Sequence, residues 1–319
     1  MDYTTLGRTG LKVSVAGLGC GGGSRLGQAQ GKSHDHSVAL VRQAMDLGVN
    51  MLDTASSYGT EEIVGDAIKA VPRDSVVIST KHHAVWGGNS FNTQDILDGL
   101  EDSLRKLDTD YVDIFHIHGL SLKTYDRVID EVVPALLKEK EKGKLRHLAA
   151  SEYAQVDPGH DMLQRAFEDN CFDVVMLAYS LMNQSAESRV FPKTVELGIG
   201  TQIMFAVRSL FSVPGRLQGD VAELIRTGDL DPAKVDATDP LGFLLHEGGA
   251  ESVIDACYRY VRHQPGADVI LFGTGNPDHL GPNLASILKP PLPNADVAKL
   301  RELFGHLEDV GLDGPGRGR

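Results

Sequence analysis

Several things are scarce in this chain. Among 319 residues there are 3 cysteines and 1 tryptophan, and no run approaches the ~20 apolar residues that a membrane-spanning helix requires. Three cysteines cannot form a disulfide framework, which suits a reducing compartment. Positive charge is also short, with 31 Lys and Arg against 44 Asp and Glu, a formal charge of −13. A nucleic-acid backbone needs a concentrated positive footprint, so nucleic acid is excluded as the main partner. The acidic surface reads as a solubility feature. The opening residues, Met1-Asp2-Tyr3-Thr4-Thr5, lack the basic region and apolar stretch of a secretory signal. What is present is an ordinary globular mixture, 41% hydrophobic and 24% charged, enough for a sizeable core. A cytoplasmic protein with no membrane partner is the expectation.

Short β-branched, apolar runs recur at residues 13–18, 49–55, 76–81, 112–118, 145–151, 174–180, 201–207 and 268–273, with amphipathic stretches of helix length between them. Helical spacing is clear over 37–45, with Gly48 as a stop, and over 94–107 behind a capping Thr93. It is clear again over 131–142, which ends in alternating Lys and Glu before Gly143. Successive strand ends at Asp53, Lys81, His118, Ser151 and Ser180 lie 28 to 37 residues apart, the length of one strand–helix unit. Eight such units close a parallel barrel. The predicted fold class is therefore α/β, a (β/α)8 TIM barrel forming one domain over residues 1–319. An open doubly wound sheet shares the local pattern, but the count of eight favours the barrel. The 66 residues from Val207 to Gly273 predict extra helices in the seventh unit. Residues 3–6 and 11–13, around Gly7-Arg8-Thr9-Gly10, predict a hairpin that plugs the lower mouth of the barrel. Residues 310–319, ending Gly-Pro-Gly-Arg-Gly-Arg, are expected to be a disordered tail.

Reactive groups in such barrels lie where strands end. Asp53 ends the second strand, with Tyr58 five residues on, while Lys81 ends the third, His118 the fourth and Ser151 the fifth. A lone inward Asp or Lys costs several kcal/mol, so these two are expected to pair. A tyrosine titrates near pH ~10, too weak an acid to protonate a carbonyl quickly at neutral pH. A lysine ammonium ~4 Å from Tyr58 contributes roughly 4 kcal/mol at an effective dielectric of ~20. That lowers the phenol's pKa by up to about 3 before desolvation takes some back. Asp53 would hold Lys81 charged and aimed, and a neutral His118 would donate a hydrogen bond to the same carbonyl oxygen. Such a set protonates an oxygen while something else delivers hydride, which no side chain can do, so a nicotinamide is called for.

These residues resemble the aldo-keto reductases. The likeness is carried by Asp53-Thr54-Ala55-x-x-Tyr58-Gly59, by Ile78-Ser79-Thr80-Lys81, by residues 107–118 with their Asp110-Tyr111-Val112-Asp113 core, and by residues 145–151. The opening Leu6-Gly7-Arg8-Thr9-Gly10-Leu11-Lys12-Val13-Ser14 is similar too, and the resemblance runs from about residue 3 to about 305. It implies a nicotinamide bound extended on a (β/α)8 barrel, Tyr58 as acid/base, and a small-molecule carbonyl or alcohol as substrate. No motif specifies that substrate or an oligomeric state.

A phosphate site is expected from the loops after strands seven and eight. The eighth is followed by Gly273-Thr274-Gly275-Asn276-Pro277-Asp278-His279, a glycine turn with a capping Asn and a Pro at the first helical position, whose free N–H groups suit an anion. Arg208, Ser209 and Arg216, near Val207, add local positive charge. By resemblance this region holds the adenosine end, with Asn283 at the adenine, and Ser151 binds the carboxamide. The glycines Gly21 and Gly22 read as close backbone approach to the nicotinamide. Departures from the family pattern are Glu152 for an Asn, Met176 for a Gln, and Gly273 and His279 for basic residues at the adenosine 2′-phosphate. The stacking aromatic falls at Met204 or Phe205. NADPH is expected from the family, with NADH as the alternative.

Other readings compete. Gly17-Leu18-Gly19-Cys20-Gly21-Gly22 spells G-x-G-x-x-G, but a polar stretch over 24–36 follows where a Rossmann helix should begin. His116-Ile117-His118 has metal-pair spacing, as in a metal-dependent hydrolase barrel, but strands five to eight supply no further ligands, so no metal is expected. His82-His83 is a second candidate pair, but adjacent residues at a strand end face opposite ways, so both read as loop residues. His116 then belongs to the core or to the substrate-pocket wall. Trp86, above the presumed mouth, is either substrate contact or structure, and Cys20 reads as inert. A nucleotide-binding regulatory subunit and an NAD-linked sugar or alcohol dehydrogenase are the remaining alternatives.

Overall fold

Strands in a parallel barrel are buried on both faces, one toward the barrel axis and one toward the helices, so apolar residues are needed at nearly every position. The runs identified above meet that need. The computed structural model describes residues 1–86, 89, 90 and 92–312, with 85, 86, 89 and 90 described by backbone alone. The strands are β1 (Tyr3–Thr5), β2 (Lys12–Ser14), β3 (Ala16–Gly19), β4 (Met51–Asp53), β5 (Val77–His83), β6 (Val85–Trp86), β7 (Asn89–Ser90), β8 (Val112–Leu120), β9 (Leu145–Glu152), β10 (Val174–Ala178), β11 (Gly200–Met204) and β12 (Val269–Phe272). The helices are α1 (His34–Asp46), α2 (Glu61–Ile68), α3 (Thr93–Leu107), α4 (Leu122–Arg127), α5 (Val133–Glu141), α6 (Asp161–Asp169), α7 (Ala186–Arg189), α8 (Phe191–Leu197), α9 (Ser209–Ser212), α10 (Arg216–Thr227), α11 (Val253–Arg262), α12 (Leu280–Leu288) and α13 (Asn294–Phe304).

Eight strands close a parallel barrel in the order β3-β4-β5-β8-β9-β10-β11-β12, and β12 returns to pair with β3. This is the expected (β/α)8 barrel. It excludes the doubly wound sheet and the Rossmann unit, since α1 starts only at His34, well past the glycine motif. The hairpin forms as β1 against β2, with Tyr3 opposite Ser14. Leu6 and Val13 from it, with Leu11 beside them, pack against the inward side chains Met51, Val77, Ile114, Ala149, Val174 and Val269. The lower mouth is thus plugged with hydrocarbon. A second, larger cluster fills the space between the outward faces of the strands and the helices. No helix among the described residues is long and apolar enough to cross a membrane.

Several boundaries differ from expectation. β5 and β8 run two residues past Lys81 and His118, so both side chains lie inside strands rather than at their ends. The cap of α3 is Asn92, one residue early, because Asn92 and Asp95 form a reciprocal capping box that draws Thr93 into the helix. The helix expected over 131–142 begins at Leu122, where α4 continues into α5 through a π turn over Val128–Val132. A 3-10 segment, Arg25–Gln30, occupies part of the expected loop. At the C-terminus, Val310 and Leu312 are buried, so residues 310–312 are packed chain rather than tail. The rest of the expected tail, 313–319, lies outside the described residues.

Candidate active site

Asp53, the last residue of β4, is in register with Ser79 on β5, and register partners in parallel strands share a face. Lys81 is two residues further along β5 and therefore also points inward. Its Nζ donates to Asp53 Oδ1 at 2.6 Å and to the Thr54 carbonyl at 2.7 Å. Ser79 Oγ donates to the same Asp53 oxygen at 2.9 Å. A 3-10 turn, Ser56–Tyr58, is closed by Gly59 at φ +72° and returns Tyr58 over this pair. The Lys81 Nζ lies 5.3 Å from the Tyr58 ring centroid. His118 meets Tyr58 edge to face, with centroids 5.8 Å apart and planes at 87°. The four residues named from sequence thus converge at the C-terminal end of the barrel.

Burial dominates the electrostatics. It pushes the Asp53 carboxyl up while the adjoining Lys81 ammonium and the Ser79 hydroxyl pull it back. Burial also opposes the Lys81 charge, but Asp53 and Tyr58 outweigh it and hold the ammonium above its ordinary range. Burial raises the Tyr58 phenol, with Lys81 and Arg208 opposing. The sign of the net shift is therefore opposite to the sequence expectation: Lys81 lowers the phenol as anticipated, but desolvation is larger. For His118, burial and then the neighbouring His83 and Lys81 hold the imidazole well below its usual value, leaving it neutral. The Cys20 thiol is fully buried and pushed far up, which agrees with an inert role.

Other sequence assignments separate here. A Cβ added to Gly21 would collide with the Tyr58 ring, so the tyrosine's position requires a glycine there. Gly22, at φ +68°, and Gly23 have open space where a Cβ would be. His116 is fully buried inside the barrel, in register with Lys81, and is core rather than substrate-pocket wall. Burial lowers its pKa to about 3. His82 turns outward, where its ring fills the space beside Gly99 of α3, and His83 turns inward against His118 with centroids 3.9 Å apart. Among the described residues, no group of three or more His, Cys, Asp or Glu gathers as a metal site. The side chain of Trp86 lies outside the described set.

Ser151 is buried near the end of β9, in register with Met176 of β10, which in turn is in register with Gln202 of β11. Gln202, which the sequence reading did not single out, lies next to the hydroxyl that bonds Asp53. It lies fully buried, with Oε1 3.5 Å from Ser79 Oγ and Nε2 3.9 Å from Met51 Sδ. Its signal was faint, a single amide within an apolar strand. His160 was not singled out from sequence, and Glu152 was noted only as a departure from the family Asn. Glu152 Oε1 accepts the Ala178 N–H at 2.8 Å, and Oε2 lies 2.7 Å from His160 Nδ1, both side chains wholly buried. The departure from the family Asn is therefore a carboxylate engaged by the strand end and the following loop. Met204 ends β11, and Phe205 follows in left-handed backbone at φ +71°, with the Arg208 guanidinium 4.2 Å over its ring. Val207 is half-buried and packs against the core between barrel and helices.

After β12 the expected loop is ordered by its own side chains. Thr274 Oγ1 accepts the Asn276 N–H at 3.0 Å, and Asn276 caps the turn by accepting the Asp278 N–H at 3.1 Å, ahead of Pro277–His279 and α12. Gly273 lies close to the Gly19 carbonyl, and a Cβ on Gly275 would meet Gly27 at 2.7 Å. His279 Nδ1 lies 3.4 Å from Thr274 Oγ1, and Asn283 is half-buried on α12. The groups that could hold a dinucleotide are the Ser151 hydroxyl, the Arg208 guanidinium and the N–H groups around Pro277–His279.

A model of the aldo/keto reductase family matches residues 18–304. The chain is 29% identical over 305 residues to aldo-keto reductase YhdN of Bacillus subtilis (strain 168), covering 88% of this chain and 87% of that protein. It is 38% identical over 154 residues to L-galactose dehydrogenase of Arabidopsis thaliana, 46% of this chain and 47% of the relative, so this match spans about half of that protein. Identity is 30% over 225 residues to NADH-specific methylglyoxal reductase of Escherichia coli (strain K12), 64% of this chain and 66% of the relative. Among solved structures, aldo-keto reductase AKR11C1 from Bacillus halodurans (holo form) superposes with a TM-score of 0.72 at 23% identity, covering 95% of this chain and 96% of that one, a likeness of fold.

Proposed function

The chain belongs to the aldo/keto reductase family, and from that premise we propose that it interconverts a small aldehyde or ketone and its alcohol, with Tyr58 as general acid/base. The observation that carries this reading is the buried Lys81–Asp53 pair at 2.6 Å beneath the Tyr58 ring. Because burial keeps the phenol protonated at neutral pH, Tyr58 holds its proton until a carbonyl oxygen arrives to take it. The phenolate left behind is stabilised by the Lys81 ammonium beneath its ring, by about 3 kcal/mol if the charges lie ~5 Å apart at an effective dielectric of ~20. Asp53 and the Thr54 carbonyl fix where that ammonium points. Neutral His118 donates a second hydrogen bond to the carbonyl oxygen. In oxidation the same groups act in reverse, with Tyr58 accepting the alcohol proton. A bound nicotinamide supplies or accepts hydride. Ser151 is proposed to hold its carboxamide, and Arg208 with the N–H groups around residues 276–280 its phosphates.

NADPH is the cofactor that family resemblance supports. One observation favours NADH instead: residues 273–279 contain no Lys or Arg, and a 2′-phosphate has only His279 there to meet it. The E. coli relative named as NADH-specific is in line with that second reading. The relative named L-galactose dehydrogenase supports a hydroxylated substrate and the oxidative direction as a variant on the same chemistry. Separate titrations with NADPH and NADH, each followed by nucleotide fluorescence and then by aldehyde-dependent oxidation, test the proposal. Micromolar binding of at least one nucleotide with turnover is expected. Binding of neither would overturn it.

A further inference from the structure

A hydrogen-bonding imidazole works only if its ring plane is fixed, and an active-site histidine is ordinarily held by a partner on its second nitrogen. Among the described residues His118 has no such partner. Its Nδ1 is buried and lacks a hydrogen bond among the described residues. Its backbone is also loosely held on one side, since β8 pairs with β9 through Ile117↔Ala150, then shifts register and resumes only at Leu120↔Glu152. His118 and Gly119, the latter at φ +65°, occupy that irregularity. Such bulges re-aim side chains but leave them without a ladder neighbour.

On the other side the ring is supported. His83 of β5 stands in register with His118, and the two imidazoles stack face to face, with centroids 3.9 Å apart and planes within 15°. The Tyr58 ring closes from the edge at 5.8 Å and 87°. We propose that His83 is a positioning residue: its ring face sets the plane of His118, doing by stacking what a hydrogen bond to Nδ1 would otherwise do. The inference rests on the role given to His118 above. His83 itself is half-buried, and burial lowers its pKa to about 4, so it stays neutral and the stack carries no like-charge repulsion at neutral pH. The His83 ring also hydrogen-bonds the His118 backbone. Phe keeps the ring face without that bond and Gln can keep the bond without the face, so a flat apolar ring should replace His83 and a flexible side chain of similar bulk should not.

The test compares His83→Phe with His83→Gln in the full-length protein. The His118 ring nitrogens are followed by long-range proton–nitrogen NMR without nucleotide, and turnover is measured separately. The unaltered protein and His83→Phe are expected to show one neutral His118 tautomer, with kcat within about 3-fold of each other. His83→Gln is expected to show mixed tautomers and a kcat lower by roughly 10- to 100-fold, the scale on which small misplacements act. KM for the carbonyl and nucleotide affinity should change less than about 3-fold. Loss of kcat in His83→Phe as large as in His83→Gln, or an unchanged tautomer in His83→Gln, would overturn the inference. An unaltered protein with the single tautomer but no carbonyl turnover would instead refute the proposed function and leave the positioning intact.

Discussion

Lys81 and Asp53 form an ion pair of 2.6 Å inside the barrel, with the lysine side chain wholly buried. Taking two charges out of water is costly, and one alone is costlier, so each is retained by the other. Replacing Lys81 with Met should cost about 3 kcal/mol of stability, at the low end for a broken buried pair, because burial already favours protonation of Asp53. Turnover should fall by about 100-fold or more, since Lys81 is the larger of the two cations that favour the developing phenolate. Denaturant unfolding and kcat of the purified variant check both numbers.

Glu152 holds the Ala178 N–H at 2.8 Å and His160 at 2.7 Å, and His160 Nε2 in turn lies 3.1 Å from Ser185 Oγ. Restoring the family residue by Glu152→Asn should therefore destabilise, because the shorter amide cannot reach both partners and leaves a buried group unsatisfied. The expected loss is about 2 kcal/mol, read as a lowered denaturant midpoint with an unchanged slope. An Asn variant as stable as the parent would mean that the carboxylate is dispensable.

Asp268 gives a pH signature. Burial raises its carboxyl from near 3.8 to about 6, against the hydrogen bond it accepts from the Thr201 N–H at 3.0 Å. The folded state thus binds this proton more tightly than the unfolded chain. The resulting stability is fully present below about 3.8 and is lost as pH rises through about 6. Asp268→Asn keeps an acceptor for Thr201 and escapes that loss. Its stability relative to the parent should improve by about 2 kcal/mol between pH ~4 and ~7, after a discount for partial exposure. Paired urea titrations at the two pH values measure it.

The barrel and its four central residues were legible because they depend on short-range pattern: eight apolar runs at unit spacing, and ionisable groups near their ends. The hairpin plug was legible for the same reason. What was not legible depends on long-range packing. That Gly21 must be glycine to admit the Tyr58 ring shows only once the two are seen in contact. His83 looks like half of a loop dipeptide until β5 is seen to run on through it and bring it into register with His118. The net shift of Tyr58 depends on how much water the fold removes around it, which no spacing of residues encodes. Glu152 and His160 are eight residues apart in sequence, and only the turn between β9 and α6 makes them partners.

The most direct measurement is made on Tyr58→Phe, with nucleotide affinity and carbonyl turnover determined on the same preparation. The ring, its packing on Gly21 and its edge contact with His118 are all kept, and only the hydroxyl is removed. Nucleotide dissociation constants within about 2-fold of the parent, with kcat lower by at least about 1,000-fold, are the expected result. Turnover retained within about 10-fold would show that another group moves the proton, and would contradict the assignment of Tyr58 as the acid/base.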